Sequence, residues 1–310
     1  MKITKAFFAV LFAVLIAGCA GGDKMAGDGF DIVCSSFPPY DFARNIARGG
    51  AQVRLLLPPG SDSHSYDPKP ADIIAVQDAD LFIFGGGESD EWVERILDSV
   101  DFPEENTLAM TSCVKTVNEQ AKEGMEGGDD DEVDEHVWTS PVNAIKICEK
   151  ITDILCERDS ENAALYRRNF SDYKEKLISL DDGFRDAVRG GVRKTLVFGD
   201  RFPFRYLADE YGLDWWAAFP GCAEMTEPSA KTVCFLIDKV RAEKIPVVFY
   251  VEFSNGKICD TIADETGAKP MLLHSCHNLT AAEFKSGIGY VDIMQKNIAA
   301  IKEALGDGAN

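Results

Sequence analysis

Tyr166-Arg167-Arg168-Asn169-Phe170-Ser171-Asp172-Tyr173-Lys174-Glu175-Lys176-Leu177-Ile178-Ser179-Leu180-Asp181-Asp182-Gly183-Phe184-Arg185-Asp186-Ala187-Val188 is the stretch that decides the architecture. Tyr166, Phe170, Tyr173, Leu177, Leu180, Phe184 and Val188 recur at intervals of three and four, which on an α-helix makes one apolar stripe. The helical pattern covers residues 159–189, roughly 45 Å at 1.5 Å per residue. A free coiled coil would also carry such a stripe, but aromatic side chains along it favour packing against the body of the same chain. The stretch reads as a rigid spine between two bodies.

On both sides of the spine, short apolar runs alternate with helical stretches. Before it, strands are predicted at 30–35, 53–57 and 81–85, with helices at 40–48, 70–77 and 91–100, and a further helix after Pro141. After it, strands at 195–199, 215–219, 247–251 and 271–273 are separated by helices at about 203–211, 230–243, 256–266 and 290–305. Strand and helix in alternation predict parallel sheets. The fold class is therefore α/β: two Rossmann-like lobes with parallel sheets joined by a long rigid helix. The first lobe covers 29–158, the linking helix 159–190 and the second lobe 191–310. Gly85-Gly86-Gly87 follows a strand, but the Lys and Ser/Thr of a phosphate loop are missing. Residues 123–135 have no apolar period and read as an exposed acidic loop.

The chain has 310 residues, is 45% hydrophobic and carries a formal net charge of -20, a globular composition long enough for two domains. The negative excess argues against nucleic acid and anionic lipid as partners and is compatible with cations. Lys2 and Lys5 precede an apolar run at 6–16, too short to span a membrane with its flanks. Ile16-Ala17-Gly18-Cys19 then resembles the lipobox of bacterial lipoprotein signal peptides. That resemblance implies a signal peptide over 1–18, a lipidated Cys19 and a protein anchored outside the cytoplasmic membrane, with 19–28 as a flexible tether. Of nine cysteines, Cys148 and Cys156 are about 12 Å apart along one helix and cannot pair with each other. Cys34, Cys234 and Cys259 sit among apolar neighbours as small core fillers. No CxxC spacing occurs, and the thiol state stays open.

All four histidines fall in polar loops. His64 sits in Gly60-Ser61-Asp62-Ser63-His64-Ser65-Tyr66-Asp67-Pro68 and His136 in Asp134-Glu135-His136-Val137-Trp138. His274 and His277 share Leu273-His274-Ser275-Cys276-His277-Asn278. Neutral imidazole is the commonest nitrogen ligand for zinc and related divalent ions. In open α/β sheets ligands bind beyond the carboxyl ends of the strands. These histidines, and Asp200 after the strand at 195–199, all fall there, so a cleft between the lobes could collect them. The spacings are far too wide for a zinc finger, which leaves a site assembled by the tertiary fold.

Several stretches, in order and spacing, resemble the zinc/manganese-type substrate-binding lipoproteins of bacterial ABC importers, the helix-linked class (cluster A-I). They are Phe37-Pro38-Pro39-Tyr40-Asp41, Leu57-Pro58-Pro59-Gly60 with His64-Ser65-Tyr66-Asp67-Pro68, and Ala79-Asp80-Leu81. Further on come Asp134-Glu135-His136-Val137-Trp138, Tyr206-Leu207-Ala208 with Tyr211-Gly212-Leu213, and Met294-Gln295-Lys296-Asn297. The resemblance covers about 30–306. It implies one divalent ion captured between the lobes and delivered to an ABC permease in the membrane, with no catalysis. His64 and His136 match the first two family ligands, and the fourth, usually an acid, falls near His277. At the third the family carries His or Glu about five residues before Tyr206, where this chain has Arg201, which cannot ligate. Asp200 beside it can ligate, or else it pairs with Arg201. His274 is a spare donor or a supporting residue. The histidine count favours Zn2+ as cargo; manganese-selective members lean on carboxylates, and Mn2+ is the alternative. Where many relatives carry a histidine-rich loop this chain has Asp129-Asp130-Asp131-Glu132, which either steers cations or is simply solvated. A secreted zinc hydrolase is the rival from another class. It would need an open metal position and a general base; HExxH is absent, and Glu224 and Glu227 are the carboxylates that could serve.

Overall fold

The computed structural model describes residues 29–63, 65–126, 132–223 and 227–306. His64, Cys19 with the signal and tether segments, the three aspartates at 129–131 and Glu224 lie outside the described residues. The first lobe alternates β1 (Phe30–Cys34), α1 (Phe37–Ala47), β2 (Ala51–Leu55), α2 (Pro70–Gln77), β3 (Leu81–Phe84), α3 (Glu91–Ser99) and β4 (Thr107–Ala109). Two long helices follow, α4 (Pro141–Arg158) and α5 (Ala163–Gly190). The second lobe begins with β5 (Thr195–Phe202), α6 (Arg205–Tyr211), β6 (Asp214–Pro220), α7 (Ala230–Glu243) and β7 (Val247–Tyr250). It ends with α8 (Lys257–Thr266), β8 (Lys269–Leu272), α9 (Ala281–Ser286) and α10 (Tyr290–Leu305).

The sheets run β2-β1-β3-β4 and β6-β5-β7-β8, with every pairing parallel. The two lobes thus repeat one topology. In each, the strand order reverses next to the lobe's first strand, and such a switch point opens a crevice beyond the strand ends. The loops leaving β3 and β7 open there.

The α/β, two-sheet class expected from the sequence is the one observed, and the departures have local causes. Helix α1 starts at Phe37 and not at 40, because Pro38 and Pro39 lie in its first turn, where a missing N–H costs nothing. Strand β4, three residues long, and α9, six residues long, are too short to show a period. Strand β5 continues past Gly199 to Phe202, with a register shift against β6 between Phe198 and Arg201. Helix α5 begins at Ala163 because Asp159 ends α4, and its carboxylate accepts hydrogen bonds from Asn162 Nδ2 at 2.8 Å and from the Tyr166 hydroxyl.

Helix α5 has 28 residues, about 42 Å of axis. It buries Tyr166, Tyr173, Leu177, Leu180, Phe184 and Val188 against α1, α4 and α10. The apolar core therefore runs without a break from Ile32, Phe42 and Ile83 in the first lobe, through this stripe, to Leu196, Phe198 and Phe249 in the second. Asp41 adds a polar tie: it pairs with Arg44 at 2.5 Å and accepts from the Tyr173 hydroxyl of α5 at 3.0 Å and the Tyr290 N–H of α10 at 3.2 Å.

The acidic segment between β4 and α4, where it is described, is tied to the second lobe and ends in buried residues. It crosses to β6, the edge strand of the second sheet. Lys122 donates to Asp214 at 2.5 Å and to the Trp215 carbonyl at 3.1 Å. Glu126 accepts from Ser229 N at 3.0 Å and Thr232 Oγ1 at 2.6 Å at the start of α7. Asp134 and Glu135 end the crossing only 2% and 1% exposed. A carboxylate is buried where donors wait for it, and a hydropathy pattern carries no record of donors.

Phe184 is fully buried and stacks on Tyr211 of α6 with ring centroids 5.2 Å apart. Phe184→Ala is expected to cost about 3–5 kcal/mol of stability in urea denaturation. Because the core is shared, both lobes should unfold in one transition, followed in common by Trp92 and Trp138 of the first half and Trp215 of the second. Two resolved transitions would contradict a single core.

Candidate metal centre

His136 stands directly ahead of the single helical turn Val137–Thr139. Asp134 Oδ1 accepts from the His136 backbone N–H at 2.8 Å and lies 3.1 Å from its Nδ1. A carboxylate there acts as acceptor, so Nδ1 carries the proton and Nε2 keeps the lone pair that a metal needs. Beneath the ring lies Trp138, whose centroid is 5.3 Å from His136 and 5.2 Å from His277. Its Nε1 donates to the Ser275 carbonyl at 2.8 Å, and its own carbonyl accepts from the Tyr290 hydroxyl at 2.7 Å.

His277 comes from the turn after β8. Glu252, two residues past β7, organises that turn by accepting from Ser275 N at 2.7 Å, Ser275 Oγ at 2.5 Å and His277 N at 3.1 Å. Cys276 sits in the left-handed region at φ +66°, a conformation disfavoured for a residue with a Cβ and held by the contacts around it. The Ser63 and Ser89 hydroxyls lie 2.9 and 3.3 Å from His277 Nε2. The two imidazoles end with centroids 5.6 Å apart at 88°.

One ligand atom from each of Glu135, His136 and His277 falls within 4.8 Å of the others. Zinc–ligand bonds of about 2.0–2.2 Å put tetrahedral ligand atoms roughly 3–4 Å apart, so only a slight contraction is needed. The adjoining cavity, about 40 Å³, is lined by His136, Arg201, Glu252, Phe253 and His277 among others. That volume suits an ion with a water or two and not an organic chelate, for which pockets run to about 300–1,000 Å³.

Of the residues singled out in the sequence, His136 and His277 are brought together. His64 lies outside the described residues, but its neighbour Ser63 touches His277 and Asp62 lines the same cavity. His274 is buried outside the trio. Its Nδ1 accepts from Cys276 N at 3.0 Å, and its backbone is clasped by Asn297 through bonds of 3.0 and 2.8 Å. Asp200 is also outside the trio, at the register shift of β5, accepting from Arg201 N at 2.8 Å and Val251 N at 3.3 Å. The Arg201 guanidinium lies 3.7 Å from Asp62. Glu135 is the residue that sequence reasoning missed. The available signals were its place beside His136 and the glycine run at 85–87, of which Gly87 lies against it in the folded chain.

Negative charge is in excess on this side of the cleft. Burial, then the charge of Glu135, pushes the Asp90 carboxyl up to about 7. Burial with Glu132, Glu135 and Glu119 pushes Glu88 up to about 7 as well. For His136, burial lowers the pKa, but the Asp134 hydrogen bond and the charges of Asp134, Glu135 and Glu119 outweigh it and hold it above the ordinary histidine value. A divalent cation relieves this surplus.

Two parallel-sheet lobes on one shared long helix, with imidazoles and carboxylates meeting at the strand ends, define the helix-linked class of two-lobed substrate-binding proteins. The family described as zinc-uptake complex component A, periplasmic (ZnuA) matches residues 32–304, and the chain belongs to it. The high-affinity zinc uptake system protein ZnuA of Bacillus subtilis is 31% identical over 310 residues, 94% of each chain. The zinc-binding lipoprotein AdcA of Streptococcus pneumoniae is 31% identical over 308 residues, and the chain spans 61% of its length. The solved structure of the Zn(II)-bound ZnuA-like domain of that AdcA superposes with a TM-score of 0.75 at 31% identity, over 89% of this chain and 99% of the domain.

Asp134→Asn keeps the shape but weakens the hold on Nδ1–H, and is expected to lower zinc affinity about 10–100-fold with the fold intact. Ligation through His136 needs its neutral form, so such a site should lose affinity as pH drops through its raised pKa. Each ligating histidine adds about a tenfold loss per pH unit below its own pKa. Titration calorimetry from pH 8 to 5 reads this, and a flat profile would contradict histidine ligation.

Proposed function

We propose that the protein captures Zn2+ outside the cytoplasmic membrane, between its two lobes, and hands it to the permease of an ABC importer. The observation that carries this reading is the meeting of His136 from one half of the chain and His277 from the other beside a buried carboxylate and an ion-sized cavity. His136 and His277 are ligands in this reading. His64 is a third, brought by a loop whose Ser63 already contacts His277. Asp200, whose two oxygens accept from backbone N–H groups, and His274, whose Nδ1 accepts from one, support the strand end and the turn that carries His277. Imidazoles with a carboxylate favour zinc; a manganese or calcium site would want mostly oxygen. The names of the relatives, zinc-binding and zinc-uptake proteins, agree with that choice.

Anchoring follows from residues 1–18 as a signal peptide, Cys19 as the lipidated residue and 19–28 as a tether; the AdcA relative is named a lipoprotein. Lobes over 29–158 and 191–310 with a linking helix over 159–190 complete the proposed organisation. The task is binding and release, with no bond made or broken. The shared core makes release a matter of small shifts at the loops, not of wide opening.

Calorimetry of the metal-stripped protein is expected to show one Zn2+ bound per chain and much weaker Mn2+ binding. His136→Ala and His277→Ala should each weaken zinc on the order of 100-fold or more, beyond the loss for a supporting residue. Manganese binding as tight as zinc would overturn the choice of cargo. Full zinc affinity in both variants would overturn the site.

A further inference from the structure

We propose that Glu135 is itself a metal ligand, a carboxylate set into the cleft by the loop 85–90, so that the shell is built on the adjacent pair Glu135 and His136. This rests on the zinc-capture reading above and deepens it.

Glu135 is 1% exposed, and its Oε1 has no hydrogen-bond partner. A buried carboxylate oxygen left unpaired is costly unless a cation completes it. Among the described residues no lysine or arginine pairs with Glu135; the nearby Arg201 faces Asp62. The second oxygen, Oε2, accepts from Ser89 N at 3.0 Å, and the Ser89 hydroxyl lies 3.3 Å from His277 Nε2. One residue thus sets the carboxylate and the opposing imidazole in register. The three glycines find their use here. A Cβ on Gly87 would collide with the Glu135 side chain, and one on Gly85 would press on the Asp90 carboxylate at 2.9 Å. Gly86, at φ +90°, turns the loop so that the Gly85 and Gly86 N–H groups reach Asp90 Oδ2 at 2.5 and 3.2 Å. The bare backbone lets the carboxylate close over the loop, a role unrelated to phosphate.

Glu135, His136 and His277 together offer an ion two imidazoles and a carboxylate oxygen. That set suits borderline divalent ions such as zinc and disfavours soft monovalent copper.

The test uses the chain from residue 19 onward, titrated with Zn2+ alone. Glu135→Gln keeps the shape and the acceptor for Ser89 N–H but removes the charge. Its zinc affinity should fall on the order of 100-fold or more, as for ligand loss, while the metal-free variant unfolds at the same urea concentration as wild type or a higher one. Gly87→Ala, which removes no ligand atom, should weaken zinc in the same direction by displacing the carboxylate. In the wild type, the infrared difference spectrum between zinc-bound and metal-free protein should show a shifted carboxylate stretch that Glu135→Gln abolishes. Undiminished zinc affinity in Glu135→Gln, or a wild-type spectrum with no carboxylate shift, overturns the proposal and leaves zinc capture standing. A wild-type protein that binds no zinc overturns both.

Discussion

The Trp138 indole is the contact on which the rest of the centre depends. It lies against both imidazoles, donates to the carbonyl of Ser275, 137 residues away in the chain, and is itself held from behind by Tyr290. A buried indole needs a partner for its N–H. Here the partner belongs to the turn of the other lobe that carries His277, so satisfying one hydrogen bond also sets the distance between the two histidines. The same ring excludes water from one side of both, which strengthens any electrostatic interaction between them and an ion.

Around that contact, carboxylates do the positioning. Asp134 fixes the tautomer of His136, and Glu252 gathers the N–H groups of Ser275 and His277 through a turn that contains a strained Cys276. Each is buried and hydrogen-bonded, the condition under which buried charge specifies geometry instead of disrupting it. These bonds hold the side chains of the centre in fixed orientations, and side chains already ordered by their neighbours lose little entropy on binding.

The spine makes this preorganisation durable. Because α5 buries its stripe against α1 of one lobe and α10 of the other, one core runs through both lobes, with a smaller cluster on the far side of each sheet. Close-packed interiors resist shear, which leaves mobility to the loops at the strand ends. Lys122 and Glu126 of the crossing segment add ties from the first half of the chain to β6 and α7.

Local periodicity and short motifs determined a good deal without coordinates. The α5 stripe, the alternation of strands and helices and the loop placement of His136, His274 and His277 needed only spacing and residue chemistry, because helix and strand periods are local properties. That His136 and His277 are candidates for one site was legible for the same reason. The tertiary structure alone decided which polar side chains were already engaged. Asp200 looked like a loop carboxylate until β5 proved to run through it to Phe202 and Val251 N–H took its oxygen. His274 looked equal to His277, but only His277 comes within reach of His136 and Glu135. Glu135 read as one more acid in a solvated run, yet it is buried with an oxygen unclaimed, over a glycine with room for nothing larger. Whether a donor or acceptor is free depends on partners scores of residues away, and no local pattern in a chain records them.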